Sequence, residues 1–242
     1  MSSSADGPGL RVEVWPSSTG DLFFPLLDRM SRASGVSAVL SQVPPGSAVL
    51  IGEPAVRDGL LARGAKQVRH VLAMRRDVAG AATAPAVPGL ALRAWQDDDA
   101  KLLAPALVGA YDAQHPDPTT PDLAAAAQTL ARTAEDPDNP RLRATTVAEL
   151  AGRPMGAALV LRSEHVTGWK GPWVMNVFRA PDPAVPGVGV AMLVRALDVL
   201  REDGETSLGL AVTATNPARR VYERLGFTYD LEGWVLVLPS IG

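Results

Sequence analysis

A glycine-bearing stretch is the first part of this sequence whose residue types and spacing could support chemistry. It covers residues 181–191, between a predicted strand and a predicted helix, and contains Gly187 and Gly189. The first turn of a helix leaves backbone N–H groups unpaired, and glycine lets an anion approach them closely. A pyrophosphate would fit there, although the glycines would equally serve an ordinary tight turn. A dinucleotide fingerprint fits poorly, because Met192 stands where its third glycine must be.

A second stretch, residues 216–227, combines helix-boundary signals with a tyrosine. Asn216 is typical of an N-cap with Pro217 at the first helical position, and Gly226 is typical of a helix terminator. The helix between them carries Tyr222, whose hydroxyl can donate a proton. Taken alone, the pattern equally fits a short capped helix with a half-buried tyrosine.

Strands and helices alternate around these two stretches. Strands are predicted at residues 90–95, 143–150, 155–162, 173–179, 207–213 and 233–238. Helices are predicted from residue 97, near 123–134, at 189–202 and at 217–225. Strands on both sides of a crossover helix indicate an α/β sheet.

A linker is predicted at residues 79–89, which combine alanine, proline and glycine without an amphipathic period. It separates a shorter segment, residues 1–78, from residues 90–242, which have the size of an ordinary domain. In the shorter segment the sequence predicts a strand at 47–52, a helix at 54–65 and a strand at 68–74.

The composition excludes several classes of function. The 242 residues carry a formal net charge of −3, which gives no electrostatic reason to expect nucleic acid or a membrane as partner. The absence of cysteine rules out disulfides, thiolate catalysis and cysteine-based zinc sites. His70, His115 and His165 match no metal-ligand spacing, so no metal is expected. Without a recognisable secretory signal or a roughly 20-residue apolar stretch, we expect a cytoplasmic protein.

The two stretches together resemble the diagnostic motifs of the GNAT (Gcn5-related N-acetyltransferase) superfamily, in the right order and separation. The first motif, V-x-P-x-x-[QR]-x-x-G-x-G/A, is matched in spacing by Pro181, Gly187 and Gly189. The second, N-x-x-A-x-x-x-Y-x-x-x-G-F, is matched by Ala218, Tyr222, Gly226 and Phe227. The resemblance covers residues 90–238.

Several positions depart from the family pattern. Ala184 stands where glutamine or arginine is usual, and Val185 and Pro186 follow where arginine or glycine is usual. Pro186 has no N–H to offer a phosphate, and a guanidinium that would pair with the pyrophosphate is missing. Arg179 replaces the usual valine, and Asn216 lies one residue closer to the tyrosine than in the stricter pattern. These departures predict weaker CoA binding than in members with the full motif.

The resemblance implies an α/β (α+β) fold, a GNAT-like mixed central sheet flanked by helices, with a smaller N-terminal α/β segment. The N-terminal segment has a weak echo of the family ending, in which Leu60 stands where Tyr222 does once one residue is inserted. We interpret residues 1–78 as a partial, catalytically silent half-repeat. The rival interpretation is an unrelated α/β cap.

The resemblance also implies an acyl-CoA-dependent N-acyltransferase that moves the acetyl group of acetyl-CoA to a primary amine by direct attack. Backbone N–H groups at the splayed end of strand 173–179 would hold the thioester carbonyl, and Tyr222 would protonate the departing thiolate. The residues expected to contact the cosubstrate are Phe178, Arg179, Val185, Gly187, Val188, Gly189, Val190, Asn216, Ala218 and Tyr222. The alternative is a non-catalytic CoA-binding or regulatory protein of the same fold.

The general base stays open from the sequence. Trp173 stands where some family members carry a glutamate. The remaining alternatives are a water chain and four titratable residues: Glu149, Glu164, Asp182 and His115.

The acceptor amine also stays open. In this family the region between the first two helices usually forms the acceptor wall, and it contains Tyr111, Asp112 and His115, with Trp169 and Trp173 on the other side. Aromatic and acidic side chains suit a cationic amine, although these would equally be ordinary loop and core residues. A small-molecule amine, an amino acid, an aminoglycoside and a protein N-terminus are all compatible with the sequence.

Overall fold

The structure is a computed structural model that describes most of the chain. It describes residues 10–17, 20–27, 35–111, 115–116, 122–135, 140–166, 169–181 and 185–240. The predictions for Asp112, Asp182 and Ala184 lie outside these residues. Those for the side chains of Glu164, His165 and Trp169 also lie outside what is described.

Strands and helices follow one another along the whole described chain. The strands are β1 (Leu10–Ser17), β2 (Gly20–Leu27), β3 (Ala48–Ile51), β4 (Lys66–Asp77), β5 (Leu90–Ala94), β6 (Thr146–Leu150), β7 (Arg153–Val166), β8 (Trp169–Arg179), β9 (Ser207–Thr213) and β10 (Thr228–Val237). The helices are α1 (Gly35–Gln42), α2 (Pro54–Leu61), α3 (Asp99–Ala110), α4 (Leu123–Glu135), α5 (Val188–Glu202) and α6 (Arg219–Arg224).

A first compact unit combines the described residues up to Ala73 with those from Asp230 onward. Its strands follow the order β1-β2-β3-β10-β4. β1 and β2 are antiparallel, β2 and β3 are parallel, and β10 is antiparallel to β3, with Trp234 opposite Ile51. One apolar cluster forms the core of this unit: Val39, Val43, Val49, Ile51, Val56, Leu60, Ala65, Trp234, Leu236 and Leu238.

A second compact unit covers Met74–Tyr229. Its strands follow the order β4-β9-β8-β7-β6-β5. The pairs β5/β6, β6/β7 and β7/β8 are antiparallel, and β8 is parallel to β9. Helices α3 and α4 pack on this sheet through one buried cluster: Leu103, Ala104, Ala106, Leu107, Ala126, Leu130, Val147, Ala157, Leu159 and Phe178.

Helix α5 covers the opposite face of the second sheet. Phe178 belongs to the cluster under α3 and α4, whereas a Cβ built on Gly189 at the start of α5 would lie 3.9 Å from Val177 Cγ1. Successive side chains of a strand point to opposite faces, so Val177 and Phe178 mark the two sides. The predicted mixed sheet flanked by helices is confirmed.

Each element predicted between residues 90 and 238 is present, with shifted ends. The last strand starts at Thr228 instead of residue 233, and the helix predicted from Pro217 starts at Arg219. Strands β1 and β2 and helix α1 were not predicted. Within the parts of the chain that the structure describes, none of the helices has both the length and the apolar character needed to span a bilayer.

Candidate active site

Strands β8 and β9 diverge halfway along β8. The described register pairs Trp173 with Gly209 and Val174 with Leu210, and within residues 169–179 and 207–213 the pairing stops there. On the other side of β8 the register with β7 shifts at the same point, which leaves Met175 as an extra residue. A bulge of this kind bends its strand. From Met175 to Arg179, β8 therefore pairs with β7 alone and borders a gap.

Backbone groups of β8 point into this gap. The N–H of Ala180 donates to Met155 O at 2.6 Å, so the backbone of Ala180 faces β7. Because backbone polar groups alternate between the two sides of a strand, those of Val177 and Arg179 face the gap. This matches the type of group expected to hold a thioester carbonyl.

Phe178 and Arg179 were both predicted to contact the cosubstrate. The alternation places the backbone of Phe178 on the β7 side, and its side chain is only 3% exposed in the core. The half-buried Arg179 donates from Nη1 to Ala180 O at 2.8 Å. The sequence analysis did not single out Val177, whose backbone faces the gap where that of Phe178 does not. The bulge that sets this alternation has no signal in the local sequence.

The turn before α5 has the conformation that the glycine motif predicts. Gly187 has a φ of 89°, and its carbonyl accepts the N–H of Ala191 at 2.9 Å as the first helical hydrogen bond. The N–H groups of Val188, Gly189 and Val190 precede that bond and have no acceptor within the helix. Three backbone donors at the positive end of a helix dipole suit a pyrophosphate.

The structure of the protein explains why residue 187 is glycine but not why residue 189 is glycine. A Cβ on Gly187 would lie 2.7 Å from Pro85 Cγ, so both the positive φ and the packing require glycine there. A Cβ on Gly189 would meet only ordinary contact, 3.9 Å from Val177 Cγ1. The surrounding protein therefore leaves room for a side-chain Cβ at position 189. Val185 is half-buried and Val188 fully buried, so these side chains support the turn from inside.

Asn216 was predicted as the N-cap of α6, but the N-cap residue is Ala218, and Asn216 instead stabilises the turn before the helix. Its Oδ1 accepts the N–H of Ala218 at 2.9 Å, and its carbonyl accepts the N–H of Arg219 at 3.1 Å. The prediction that Pro217 is the first helical residue is wrong. Hydrogen bonds between residues i and i−3 come first and form a tight turn. The first α-helical bond, between residues i and i−4, runs from Tyr222 N to Ala218 O at 3.2 Å.

Tyr222 lies half-buried on α6, the helix that follows β9. One helical turn separates it from Ala218, so both residues share a face. The predicted terminator is confirmed: Gly226 has a φ of 85°, and the N–H of Phe227 donates to Tyr222 O at 3.0 Å. Tyr222, the predicted proton donor, is thus carried by a short helix that is fixed at both ends.

A cavity of about 170 Å³ opens between the end of β9 and the start of α6. It is lined by Ala214, Thr215, Asn216, Pro217, Arg219 and Arg220. Arg219 Nε lies 3.3 Å from Glu223 Oε1, and Arg220 is exposed. The sequence analysis singled out neither arginine, although the two are consecutive basic residues at the start of α6.

A polar cluster lies on the α3 side of the bulge. The Tyr111 hydroxyl donates to Asn176 Oδ1, and its ring meets that of His115 edge-on, with centroids 4.6 Å apart. Met175 is 47% exposed although it belongs to a central strand, so β8 is open to solvent at the bulge. Asn176 was missed, and its signal was a single amide inside the apolar run WVMNVF. Trp173, expected in the acceptor wall, is 5% exposed and lies in the core.

Glu149, one of the suggested bases, is held in a structural ion pair. Its Oε1 accepts a hydrogen bond from Arg93 Nε at 2.6 Å, and the same guanidinium binds both oxygens of the buried Asp99 at 2.7 Å. These carboxylates, Asp99 first, raise the pKa of Arg93 above its usual range. Among the side chains that the structure describes, no group of three potential metal ligands comes together.

The geometry defines a class of protein: a mixed α/β sheet in which the pairing of β8 with β9 ends beside the first turn of helix α5. Residues 106–227 match the model of the acetyltransferase (GNAT) family. Mycothiol acetyltransferase from Actinosynnema mirum is 32% identical over 217 residues, which cover 82% of this chain and 68% of that protein. The chain belongs to the GNAT family and is an acyl-CoA-dependent N-acetyltransferase, and a non-catalytic role is not favoured.

Solved structures have the same fold. A GCN5-related N-acetyltransferase from Sphaerobacter thermophilus superposes with a TM-score of 0.68 at 15% identity, over 96% of this chain and 78% of that chain. A tandem GNAT protein from the clavulanic acid biosynthesis pathway superposes with a TM-score of 0.59 at 14% identity, over 94% of this chain and 78% of that chain. At these identities the likeness concerns the fold alone.

Proposed function

We propose that this chain binds acetyl-CoA along the gap beside β8 and transfers the acetyl group to the primary amine of a small molecule. The observation that carries the proposal is the end of the β8–β9 pairing at Val174 and Leu210, with a bulge at Met175. It leaves the backbone of Val177 and Arg179 facing an open gap next to the unpaired N–H groups of α5.

The pyrophosphate of acetyl-CoA binds at the start of α5. The donors are the backbone N–H groups of Val188, Gly189 and Val190, and the absent Cβ of Gly189 gives the phosphate its approach. Pro186 offers no N–H, so the site has one donor fewer than the full motif. Arg219 and Arg220, beside Asn216 and Ala218 at the start of α6, supply positive charge for another phosphate.

The thioester carbonyl points at the backbone N–H groups on the open side of β8. The amine attacks the carbonyl carbon, a C–N bond forms, and the negative charge on the carbonyl oxygen is stabilised by these donors. When the C–S bond breaks, Tyr222 gives its proton to the thiolate, a general-acid role typically worth roughly 10²–10⁴-fold. Solvent or His115 takes the proton that the amine loses.

The acceptor amine binds on the α3 side of the bulge. Tyr111 and Asn176 combine an aromatic ring and an amide there, and Met175 at the bulge is exposed. This suits a small polar amine better than a protein chain. The likeness to mycothiol acetyltransferase makes mycothiol-related amines the first acceptors to try.

The N-terminal segment serves as a silent accessory to the catalytic segment. β3, α2 and β4 repeat the order of β9, α6 and β10, and Leu60, where Tyr222 would stand, is a fully buried apolar residue. The superposition with a tandem GNAT protein supports a half-repeat. We further propose that the enzyme acts in the cytoplasm and needs no metal.

Release of CoA thiol in the presence of a panel of amines tests the function. We expect release with at least one small primary amine, and mass spectrometry of that mixture should show the N-acetylated product. Acetyl-CoA binding without product from any amine would instead support the non-catalytic alternative. Retained turnover in a chelator would be expected, and a complete loss would contradict the metal-free mechanism.

A further inference from the structure

Arg76 is a buried cation that the acetyl-transfer chemistry does not use. It lies on β4 and is only 7% exposed. Burial lowers the pKa of its guanidinium, while the charges of Asp198 and Asp77 raise it. A buried charge is costly unless it is hydrogen-bonded, so its partners indicate what the residue is for.

The described hydrogen bonds of Arg76 all end on backbone carbonyls. Nη1 donates to Leu225 O at the end of α6. Nη2 donates to Gly80 O at 2.7 Å and Ala81 O at 3.1 Å, both at the start of the linker. One planar guanidinium therefore joins the end of α6 to a separate segment, with a fork of donors that lysine does not have.

The carbonyl that Arg76 holds belongs to the turn that fixes Tyr222. A Cβ on Gly226 would lie 3.9 Å from Arg76 Nε, so the guanidinium packs directly on the terminator. In the same turn the N–H of Phe227 donates to Tyr222 O at 3.0 Å. α6 has six residues, too few to be stable through its own hydrogen bonds.

The linker that Arg76 holds is itself anchored at its other end. Pro85 and Val87 pack against Gly187, because a Cβ there would meet their Cγ atoms at 2.7 and 3.3 Å. At the near end the N–H of Val78 donates to Thr206 O at 3.1 Å. Residues 79–87 therefore join the terminator of α6 to the turn that begins α5.

We propose that Arg76 is a positioning residue: by clamping the carbonyl end of α6 to the anchored linker, it sets the place of Tyr222 relative to the α5 turn. The inference rests on the proposed role of Tyr222 as proton donor. The clamp has no contact with the reacting atoms and acts through the helix that carries the donor.

Kinetics of Arg76→Met and Arg76→Lys in the full chain test the clamp, with Arg75→Met at the exposed neighbouring position as the matched control. We expect kcat to fall by about tenfold or more in Arg76→Met, because small misplacement of a catalytic group is costly. The KM for acetyl-CoA should change less than kcat, since the α5 donors remain and only the contribution of Arg219 and Arg220 on α6 is disturbed. Arg76→Lys keeps the charge but loses the forked set of donors. Compared with Arg76→Met, it should therefore recover more of the stability than of kcat.

A double-mutant cycle with Tyr222→Phe separates positioning from general stability. If Arg76 acts through Tyr222, Arg76→Met lowers kcat no further once the hydroxyl is gone. A full additional loss in the Tyr222→Phe background would overturn the inference. Tyr222→Phe with wild-type kcat would instead refute the acid role on which the inference rests, so the two failures are distinguishable.

Hydrogen exchange gives a readout that does not depend on knowing the acceptor. In both Arg76 variants, amides of residues 219–227 should exchange faster while those of α5 and β8 keep their protection. Unchanged exchange in α6 would overturn the inference. If Arg76→Met does not fold, the comparison of Arg76→Lys with wild type decides on this measurement.

Discussion

The ring of Phe227 meets the ring of Tyr222 at 63°, with centroids 6.1 Å apart, and the Phe227 N–H closes the turn on the Tyr222 carbonyl. The residue after the helix terminator thus supports the tyrosine through both its ring and its backbone. Tyr222→Phe keeps both contacts, because the ring and the backbone are unchanged.

Tyr222→Phe should lower turnover by roughly tenfold or more with nearly unchanged affinity for acetyl-CoA, because it removes a general acid and keeps the ring. Steady-state kinetics with saturating amine measure the effect. Tyr229→Phe is the matched control, since that hydroxyl is exposed and donates to Glu223 Oε1. Equal turnover for Tyr222→Phe and wild type would move the acid role to water or to the amine.

Acetyl-CoA should raise the melting temperature and NAD should not. A ligand that binds only the folded state at about 100 times its Kd stabilises it by roughly 2.7 kcal/mol. Gly189→Val should abolish this shift and still fold, because a Cβ at Gly189 meets nothing closer than 3.9 Å. Gly52→Val, where a Cβ would meet its nearest neighbour at 3.8 Å, is the control that should keep the shift. A normal shift in Gly189→Val would disprove the pyrophosphate site.

Gly187→Ala should destabilise the enzyme itself. The positive φ of 89° costs about 1–2 kcal/mol for a residue with a Cβ, and the contact of 2.7 Å with Pro85 Cγ adds to it. Gly64→Ala isolates the first effect, because Gly64 has a φ of 91° with nothing within 4 Å. Urea denaturation should show the larger loss at Gly187. Pro85→Ala, added to Gly187→Ala, should recover part of the extra loss of stability. Equal losses at the two glycines would contradict the packing of the linker on this turn.

Tyr111→Phe should raise the KM for the amine while the KM for acetyl-CoA stays near its wild-type value. The substitution removes the donor to Asn176 Oδ1 and leaves a half-buried amide oxygen short of one partner. We expect a change of several-fold, because a neutral hydrogen bond contributes about 0.5–1.5 kcal/mol net. An unchanged amine KM would place the acceptor elsewhere, whereas a raised acetyl-CoA KM would assign the cluster to the cosubstrate.

The elements around the site could be predicted because their signals are local. Gly226 and Phe227 mark the end of α6, and Gly187 marks the start of α5, from residue types that each turn requires. The family motifs then supplied the fold. Pro217 was placed wrongly because the tight turn before α6 and a first helical turn favour the same residues.

The bulge at Met175 and its consequences could not be predicted. A bulge is a mismatch in the pairing of two strands: Val160 pairs with Val174, while Leu159 pairs with Asn176. No local sequence pattern indicates such a mismatch. The bond from Tyr111 to Asn176 joins residues 65 positions apart. Arg76 likewise reads as one charge among several on β4, and only packing reveals its carbonyl partners.

The pairing of β10 with β3 has a consequence for the order of events during synthesis. Ile51 lies opposite Trp234, and both belong to one buried cluster. At roughly 5–20 residues per second, the ribosome needs on the order of ten seconds to travel from Ala65 to Trp234. Throughout that interval one edge of β3 has no β10 to pair with, and the apolar residues of β3 lack the β10 residues that help to bury them. The unit that is translated first is therefore completed last, after the catalytic segment has had time to fold.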